Sequence, residues 1–374
     1  MKDSPKLTSL LQKRKDANAL RQLSFVKAGL IDFSSNDYLG LARNINLKKN
    51  IEHCYREAAF DNGSTGSRLI TGNNELIEHA EDFLASLFGQ EASIIFNSGY
   101  MANLAYFSSI PQRGDTIIYD ELVHACIKDG CRLSLAKRYS FKHNDLNDLD
   151  QRLSNASGSK YIVIESVYSM DGDMAPIEAI CKLAERHGAF VVVDEAHATG
   201  IWGNKGQGLV QQLDLQKRVS AVIYTFGKAM GIHGACIAGS KDLKNFMINF
   251  SRPFIYTTAP GSHEIISIKE AFKFRAAHPE YATDLLDIIE HFNNRLPEFT
   301  TPSAIKAILI GGNSKTKALS QQFQQEGVDV RAILSPTVKE GTERLRICLH
   351  SFNTEKEIDF LCDILKANCP ELFN

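Results

Sequence analysis

The stretch "YIVIESVYSMDGDMAPIEAICKLAERHGAFVVVDE", residues 161–195, decides the fold. "YIVIES" reads as a buried strand, and "FVVV" as a second one that ends at Asp194. Between them Pro176 sits at the expected first helical position. Ile177, Ile180, Cys181 and Ala184 then share one helical face, and Gly188 closes the helix after His187. A strand, helix and strand in that order form a βαβ unit. It puts the loops after Ser166 and Val193 at the carboxyl edge of a parallel sheet, where open α/β sheets bind ligands.

Outward from this unit the pattern repeats. "ASIIFNS", "DTIIYDE", "SAVIYTFG" and "ACIAGS" are further strand-like runs separated by helical periods, so the chain reads as a mostly parallel central sheet covered by helices. Residues 6–22 are expected to form an amphipathic helix with a basic outer face, the core of an N-terminal arm over residues 1–38. A large domain would span 39–273. The charged helix "EYATDLLDIIEHFNNRL" leads into a smaller domain, 274–374, where "AIKAILIG", a helix through "KTKALSQQFQQEG", "VDVRAI" and "ERLRICLH" suggest an α+β layer of antiparallel strands.

Composition excludes several classes. Lys and Arg number 42 against 44 Asp and Glu, so no net field draws the chain to nucleic acid or anionic lipid. No apolar run approaches the length that spans a bilayer. The charged start lacks a signal peptide's apolar block, which implies a cytoplasmic protein. Eight scattered cysteines contain no CxxC pair, so buried reduced thiols are expected, with neither a metal site nor a disulfide framework.

Asp194-Glu195-Ala196-His197 spells the motif of one helicase class. A nucleic-acid-dependent ATPase, however, also needs the phosphate loop GxxxxGK[ST], and "GSTGSRLITG" lacks the Gly-Lys step. The dinucleotide fingerprint GxGxxG after a first strand is missing too. Asp194 therefore needs another explanation, and "YTFGKAMG" supplies it. Lys228 follows the strand "SAVIY" between the small residues Gly227, Ala229 and Gly231, leaving room for a planar group to approach. An aspartate and a lysine on neighbouring strand ends are what pyridoxal phosphate requires. The lysine joins the aldehyde, and the aspartate keeps the pyridine nitrogen protonated so that the ring can absorb charge.

The remaining candidates follow from that pair. In "FNSGYMANLAYF" the amides of Gly99 and Tyr100 open a helix and suit a phosphate. Thr225 would add a hydroxyl to the same anion, or serve its strand alone. His197 lies within reach of the phenolic oxygen, against the alternative of a satisfied buried histidine. His124 in "DELVHACI" either stacks over the ring or caps a helix.

"FSSNDYLGL", "GSTGSRLITGNN", "FNSGYMAN", "ESVYSMDGDMAPI", "VDEAHATGIWG", "TFGKAMG" and "GTERLRICLH" occur in this order across nearly the whole chain. In that combination the sequence resembles the α-oxoamine synthases, a family of fold-type I pyridoxal-phosphate enzymes. The resemblance implies a homodimeric acyltransferase with shared active sites, condensing an amino acid with an acyl thioester and releasing carbon dioxide. "VDEAHATGIWG" and "SPTVKEGTERLRICLH" most resemble members that serve biotin synthesis. These imply L-alanine and a pimeloyl thioester, carried on coenzyme A or a carrier protein, with a glycine- or serine-using member as the alternative. A cofactor-free interaction protein of the same fold is a further alternative, disfavoured by the joint presence of Asp194, His197 and Lys228.

The resemblance also implies roles. Lys228 carries the cofactor, Asp194 pairs with its ring nitrogen, His197 and Ser169 hold its oxygens, and His124 stacks on the ring. Gly99, Tyr100 and Thr225 bind the phosphate, with Thr257 or Thr258 arriving from a second subunit. Asn36 and Arg346 match positions that hold the amino-acid carboxylate. Thr337 matches a substrate contact, and Arg21 a group near the far carboxylate of the acyl chain. Tyr100 stands where phenylalanine is common in the family, which leaves its backbone role unchanged.

Overall fold

The apolar runs form strands because their β-branched side chains pack well on a pleated surface buried on both faces. In the computed structural model, which describes residues 4–23, 25, 28–57 and 61–373, seven strands make one sheet. They are β1 (Ala92–Phe96), β2 (Thr116–Asp120), β3 (Lys137–Phe141), β4 (Lys160–Glu165), β5 (Phe190–Asp194), β6 (Ala221–Thr225) and β7 (Ala235–Gly239). Their spatial order is β1-β7-β6-β5-β4-β2-β3. The pairs from β3 across to β6 are parallel, whereas β7 runs antiparallel to both its neighbours. Ile162, Ile164, Val192, Val193, Val222 and Ile223 are fully buried in it.

The strand β3, "KRYSF", was not legible as a strand. It occupies the sheet edge, and four of its five residues are exposed, so neither an apolar run nor a clear alternation marks it. Lysine and arginine on such an edge discourage pairing with another chain. The helix between β4 and β5 spans Ile177–His187, one residue later than expected. Pro176 takes the N-cap, Gly188 ends the helix with a left-handed φ of 59°, and Ile177, Ile180, Cys181 and Ala184 are buried. Register pairs Glu165 with Asp194 and Asp194 with Ile223, so the carboxyl ends of β4, β5 and β6 lie side by side.

Two units divide the chain: Asp37–Ser169 with Asp173–Asp284, which holds the seven-stranded sheet, and the residues up to Asn36 with Met170–Gly172 and those from Leu285 onward. In the second, β8 (Ile305–Leu309), β9 (Arg331–Ile333) and β10 (Arg344–Cys348) form an antiparallel sheet in the order β9-β10-β8, backed by the helix Asn313–Gln325. The N-terminal helix is shorter than its periodicity suggests, covering Pro5–Asp16 and ending before Asn18, which takes a φ of 51°. It buries no residue, and Leu7, Leu10 and Leu11 stand about half exposed. No helix among the described residues is long and apolar enough to cross a membrane. All eight cysteines are free thiols; seven are buried and Cys54 is partly exposed.

Candidate active site

At the carboxyl ends of β4, β5 and β6 the sheet opens into a cavity of ≈ 200 Å³. Gly99, Tyr100, His124, Asp194, His197, Thr225 and Lys228 all line it. Seven of the residues singled out from the sequence thus meet in one place, although they span more than a hundred positions of chain. The cavity is also lined by Asn103, Cys126, Glu165 and Ala196, which sequence reasoning did not single out.

On one side lies an anion cradle. The helix Gly99–Ser109 starts at Ser98, whose hydroxyl accepts the Met101 N–H at 3.2 Å. The N–H groups of Gly99 and Tyr100 precede the first intrahelical bond and have no partner within the helix. Thr225, ending β6, comes so close that a Cβ added to Gly99 would stand 2.3 Å from its Oγ1. Only glycine allows that approach, and it brings the hydroxyl beside the helix start.

On the other side Asp194 is buried and fixed at both oxygens. Asn103 Nδ2 donates to Oδ2 at 2.7 Å, and the Ala196 N–H donates to Oδ1 at 2.8 Å. Asn103 lies one helical turn after Gly99, so a single helix supplies both the anion cradle and the aspartate's support. Its own Oδ1 is buried and unpartnered among the described residues. His197 is also buried, and its Nδ1 is hydrogen-bonded to the Tyr38 hydroxyl at 2.8 Å.

His124 caps a helix, one of the two roles its sequence allowed. It is the N-cap of the helix Ala125–Leu133, where its Nδ1 accepts the Cys126 N–H at 3.3 Å, and its ring also lines the cavity. The atoms packed around it and then the charge of Lys228 push its pKa below the usual imidazole value, so the ring is neutral. Its backbone N–H donates to Glu165 Oε1. Burial, followed by the nearby Asp194, raises the pKa of the Glu165 carboxyl, against the opposing pull of Lys228 and of the His124 and Ser169 N–H groups. Ser169 is buried with its backbone N–H towards Glu165.

The small residues beside Lys228 have a reason the sequence did not reveal. Gly231 has a φ of 66°, and an added Cβ would lie 2.1 Å from the Ala42 backbone nitrogen. The chain after Lys228 is therefore pressed against the segment at Leu41–Ala42, and close backbone packing accounts for that glycine. Gly227, by contrast, has only the Ile232 carbonyl within reach, at 3.6 Å.

The other candidates fall elsewhere. Thr258 lines a separate cavity of ≈ 330 Å³ with Phe96, Asn97 and Pro260, and its carbonyl accepts from Asn97 Nδ2 at 3.1 Å. Thr257 is partly exposed beside it. In the unit that carries β8–β10, the four substrate candidates form two pairs. Arg21 Nη2 donates to Thr337 Oγ1 at 2.8 Å. Arg346 Nη2 donates to Asn36 Oδ1 at 3.0 Å, while its Nη1 reaches Cys348 Sγ at 2.9 Å.

The donor set fits pyridoxal phosphate: a lysine, a buried carboxylate held by two donors, a neutral histidine, and an anion cradle kept open by glycine, all in one cavity. Residues 28–365 match the model of the aminotransferase class I and II family, and the chain belongs to that family. It is a fold-type I, pyridoxal-phosphate-dependent enzyme, and its relatives make it an acyltransferase. It is 37% identical to the 8-amino-7-oxononanoate synthase of Emericella nidulans, over 98% of this chain and 97% of that one. The 8-amino-7-oxononanoate synthase of Francisella tularensis superposes with a TM-score of 0.79 at 26% identity, covering 93% of this chain and 100% of that one. A serine palmitoyltransferase from S. paucimobilis, solved with pyridoxal phosphate bound, superposes with a TM-score of 0.88 at 25% identity over 99% and 98% of the two chains.

Proposed function

We propose that this chain condenses L-alanine with a pimeloyl thioester, with loss of carbon dioxide, to give 8-amino-7-oxononanoate for biotin synthesis. The observation that carries the chemistry is the convergence of Lys228, Asp194, His124, His197 and the Gly99 helix start on one cavity. The choice of substrates is supported by end-to-end similarity to relatives named for that product.

Bound here, pyridoxal phosphate supplies an electron sink for the charge that develops at the amino acid's α-carbon. Lys228 Nζ would tether the cofactor in the resting enzyme and would serve as the base for the α-proton of the amino acid. Asp194 holds a proton on the ring nitrogen, and its two donors keep the carboxylate oriented for that contact. His197, oriented by its bond to Tyr38, and Ser169 would hold the cofactor's oxygens. The neutral ring of His124 covers the flat face. Gly99, Tyr100 and Thr225 bind the phosphate, joined by Thr257 or Thr258 of a second subunit in a homodimer.

Asn36 and Arg346 hold the substrate carboxylate, and the Arg346 guanidinium is already steered by its contacts to Asn36 and Cys348. Thr337 contacts substrate, and Arg21, bonded to it, faces the far carboxylate of the acyl chain. The protein works in the cytoplasm.

The likeness to serine palmitoyltransferase favours serine as the second choice of amino acid. Thiol release from pimeloyl-coenzyme A and from a pimeloyl carrier protein, measured with alanine, glycine and serine in turn, decides between them. Release with alanine alone is expected, and release with serine alone would overturn the proposal. K228A should lose turnover and the lysine-linked visible absorbance together. D194N should lose most turnover yet retain cofactor.

A further inference from the structure

We propose that His143 is a positioning residue of the cofactor site: bridged between Asp120 and Asp173, it fixes the chain reversal Val167–Met174 and thereby holds Ser169 against Glu165, which lines the cavity. The inference rests on the reading above that this cavity takes pyridoxal phosphate, and deepens it.

Asp120 ends β2 and is fully buried. Its carboxylate receives His143 Nδ1 at 3.0 Å, the Asn144 N–H at 2.9 Å and the Leu122 N–H at 2.8 Å. The opposite ring nitrogen, Nε2, meets Asp173 Oδ2 at 2.7 Å, and Asn144 Nδ2 reaches the same oxygen at 2.8 Å. Asn144 takes the left-handed φ of 54°, so that its backbone amide serves one carboxylate and its side chain the other. The His143 ring also stands edge-on to Tyr168, with centroids 4.4 Å apart and planes at 89°. The histidine therefore grips the reversal at two points, Tyr168 and Asp173. The Tyr168 N–H donates to the Asp173 carbonyl at 3.0 Å, and Val167 pairs antiparallel with Met174.

Ser169 follows Tyr168 directly, and its N–H faces Glu165, whose carboxyl takes the His124 N–H and lines the cavity. A continuous path thus runs from the bridged imidazole to Ser169, assigned to the cofactor, and to Glu165 in the cavity wall. The residue type matters. A neutral imidazole has one N–H, and against two carboxylates its bare nitrogen would repel one of them. Only the imidazolium donates at both ends of a rigid ring. Burial pulls the His143 pKa down, but Asp120 and Asp173 outweigh it and hold it at about 10. The His143 backbone N–H adds a contact to Glu121 at 3.2 Å, so the groups facing the residue are three carboxylates and Tyr168.

The test uses H143Q, D173N and the double variant, as purified protein with and without pyridoxal phosphate. Wild type and K228A, compared first for visible absorbance, test the cofactor assignment by itself. Amide hydrogen exchange across residues 167–174 then reports on the reversal whether or not cofactor is bound. Exchange about tenfold faster is expected in both single variants. With cofactor loaded, both should lose it faster on dialysis and shift the pH midpoint of the visible band. The double variant should be no worse than either single one, because both remove the same bridge. D173N changes a side chain that is one-third exposed, and so gives a reading even if H143Q folds poorly. A lower melting temperature with unchanged loop exchange and an unchanged visible band would overturn the proposal, as would losses that add in the double variant.

Discussion

Asn103 and Asp194, 91 residues apart, meet in the wall of the cavity with Nδ2 and Oδ2 separated by 2.7 Å. The aspartate that the sequence marks as chemical is thus aimed by an asparagine on the helix that also opens the anion cradle. Any disturbance of that helix reaches both the anion cradle and Asp194.

Replacing Asn103 by alanine leaves Asp194 Oδ2 without its side-chain donor while the Ala196 contact at Oδ1 remains. A hydrogen bond to a charged group contributes about 1.5–3 kcal/mol, so N103A is expected to lower kcat roughly 10- to 100-fold. Cofactor should stay bound, because the anion cradle is intact. Steady-state thiol release together with the visible spectrum checks both halves. Unchanged kcat would show that Asn103 is only a packing residue.

Gly99→Ala places a methyl group 2.3 Å from Thr225 Oγ1 and 3.1 Å from its Cγ2. Helix start and strand end must part, and affinity for pyridoxal phosphate should fall by about tenfold or more, as expected for loss of a charge-assisted contact. G99A/T225A relieves the clash but removes the hydroxyl, so it should recover thermal stability without recovering affinity. Titration with the cofactor and thermal melting separate the two effects.

Glu195, the second letter of the helicase-like motif, is fully buried and serves structure. It accepts the Val210 N–H at 2.7 Å, the Leu209 N–H at 3.1 Å and the Ser166 hydroxyl at 2.8 Å. E195A strands three donors and should cost about 3 kcal/mol in denaturant unfolding, with E195Q costing less. The variant protein that folds should keep its lysine-linked absorbance, which separates this role from that of Asp194.

Lys306 is fully buried and, among the described residues, bonded to neutral oxygens such as Asn293 Oδ1 at 2.6 Å and the Thr301 carbonyl at 2.8 Å. Burial lowers its pKa from 10.5 to about 7. Between those two values the unfolded chain binds a proton that the folded one does not, so stability from this group rises with pH across that window and is lowest below about 7. K306M removes the slope. Its melting temperature relative to wild type should therefore be higher at pH 6 than at pH 9.5, and a pH-independent difference would refute the assignment.

Sequence alone carried the reading as far as local physics and residue chemistry reach. The βαβ unit at 161–195 was legible because strand and helix periods alternate cleanly and Pro176 and Gly188 punctuate the helix. Lys228 and Asp194 were legible because each follows a strongly apolar strand, and parallel order brings such ends together. The edge strand β3 was hidden because exposed positions impose no apolar pattern.

What only the tertiary structure decided is which neutral or buried side chains support those charged ones. Asn103 at Asp194, Tyr38 at His197 and Glu165 beneath His124 and Ser169 are joined across 91, 159 and 41 residues of sequence in the first, second and His124 contacts. No local period encodes a contact at such separations. The sheet's register and the helix angles create it, which is why the cavity-lining candidates could be read from letters and the residues that hold them could not.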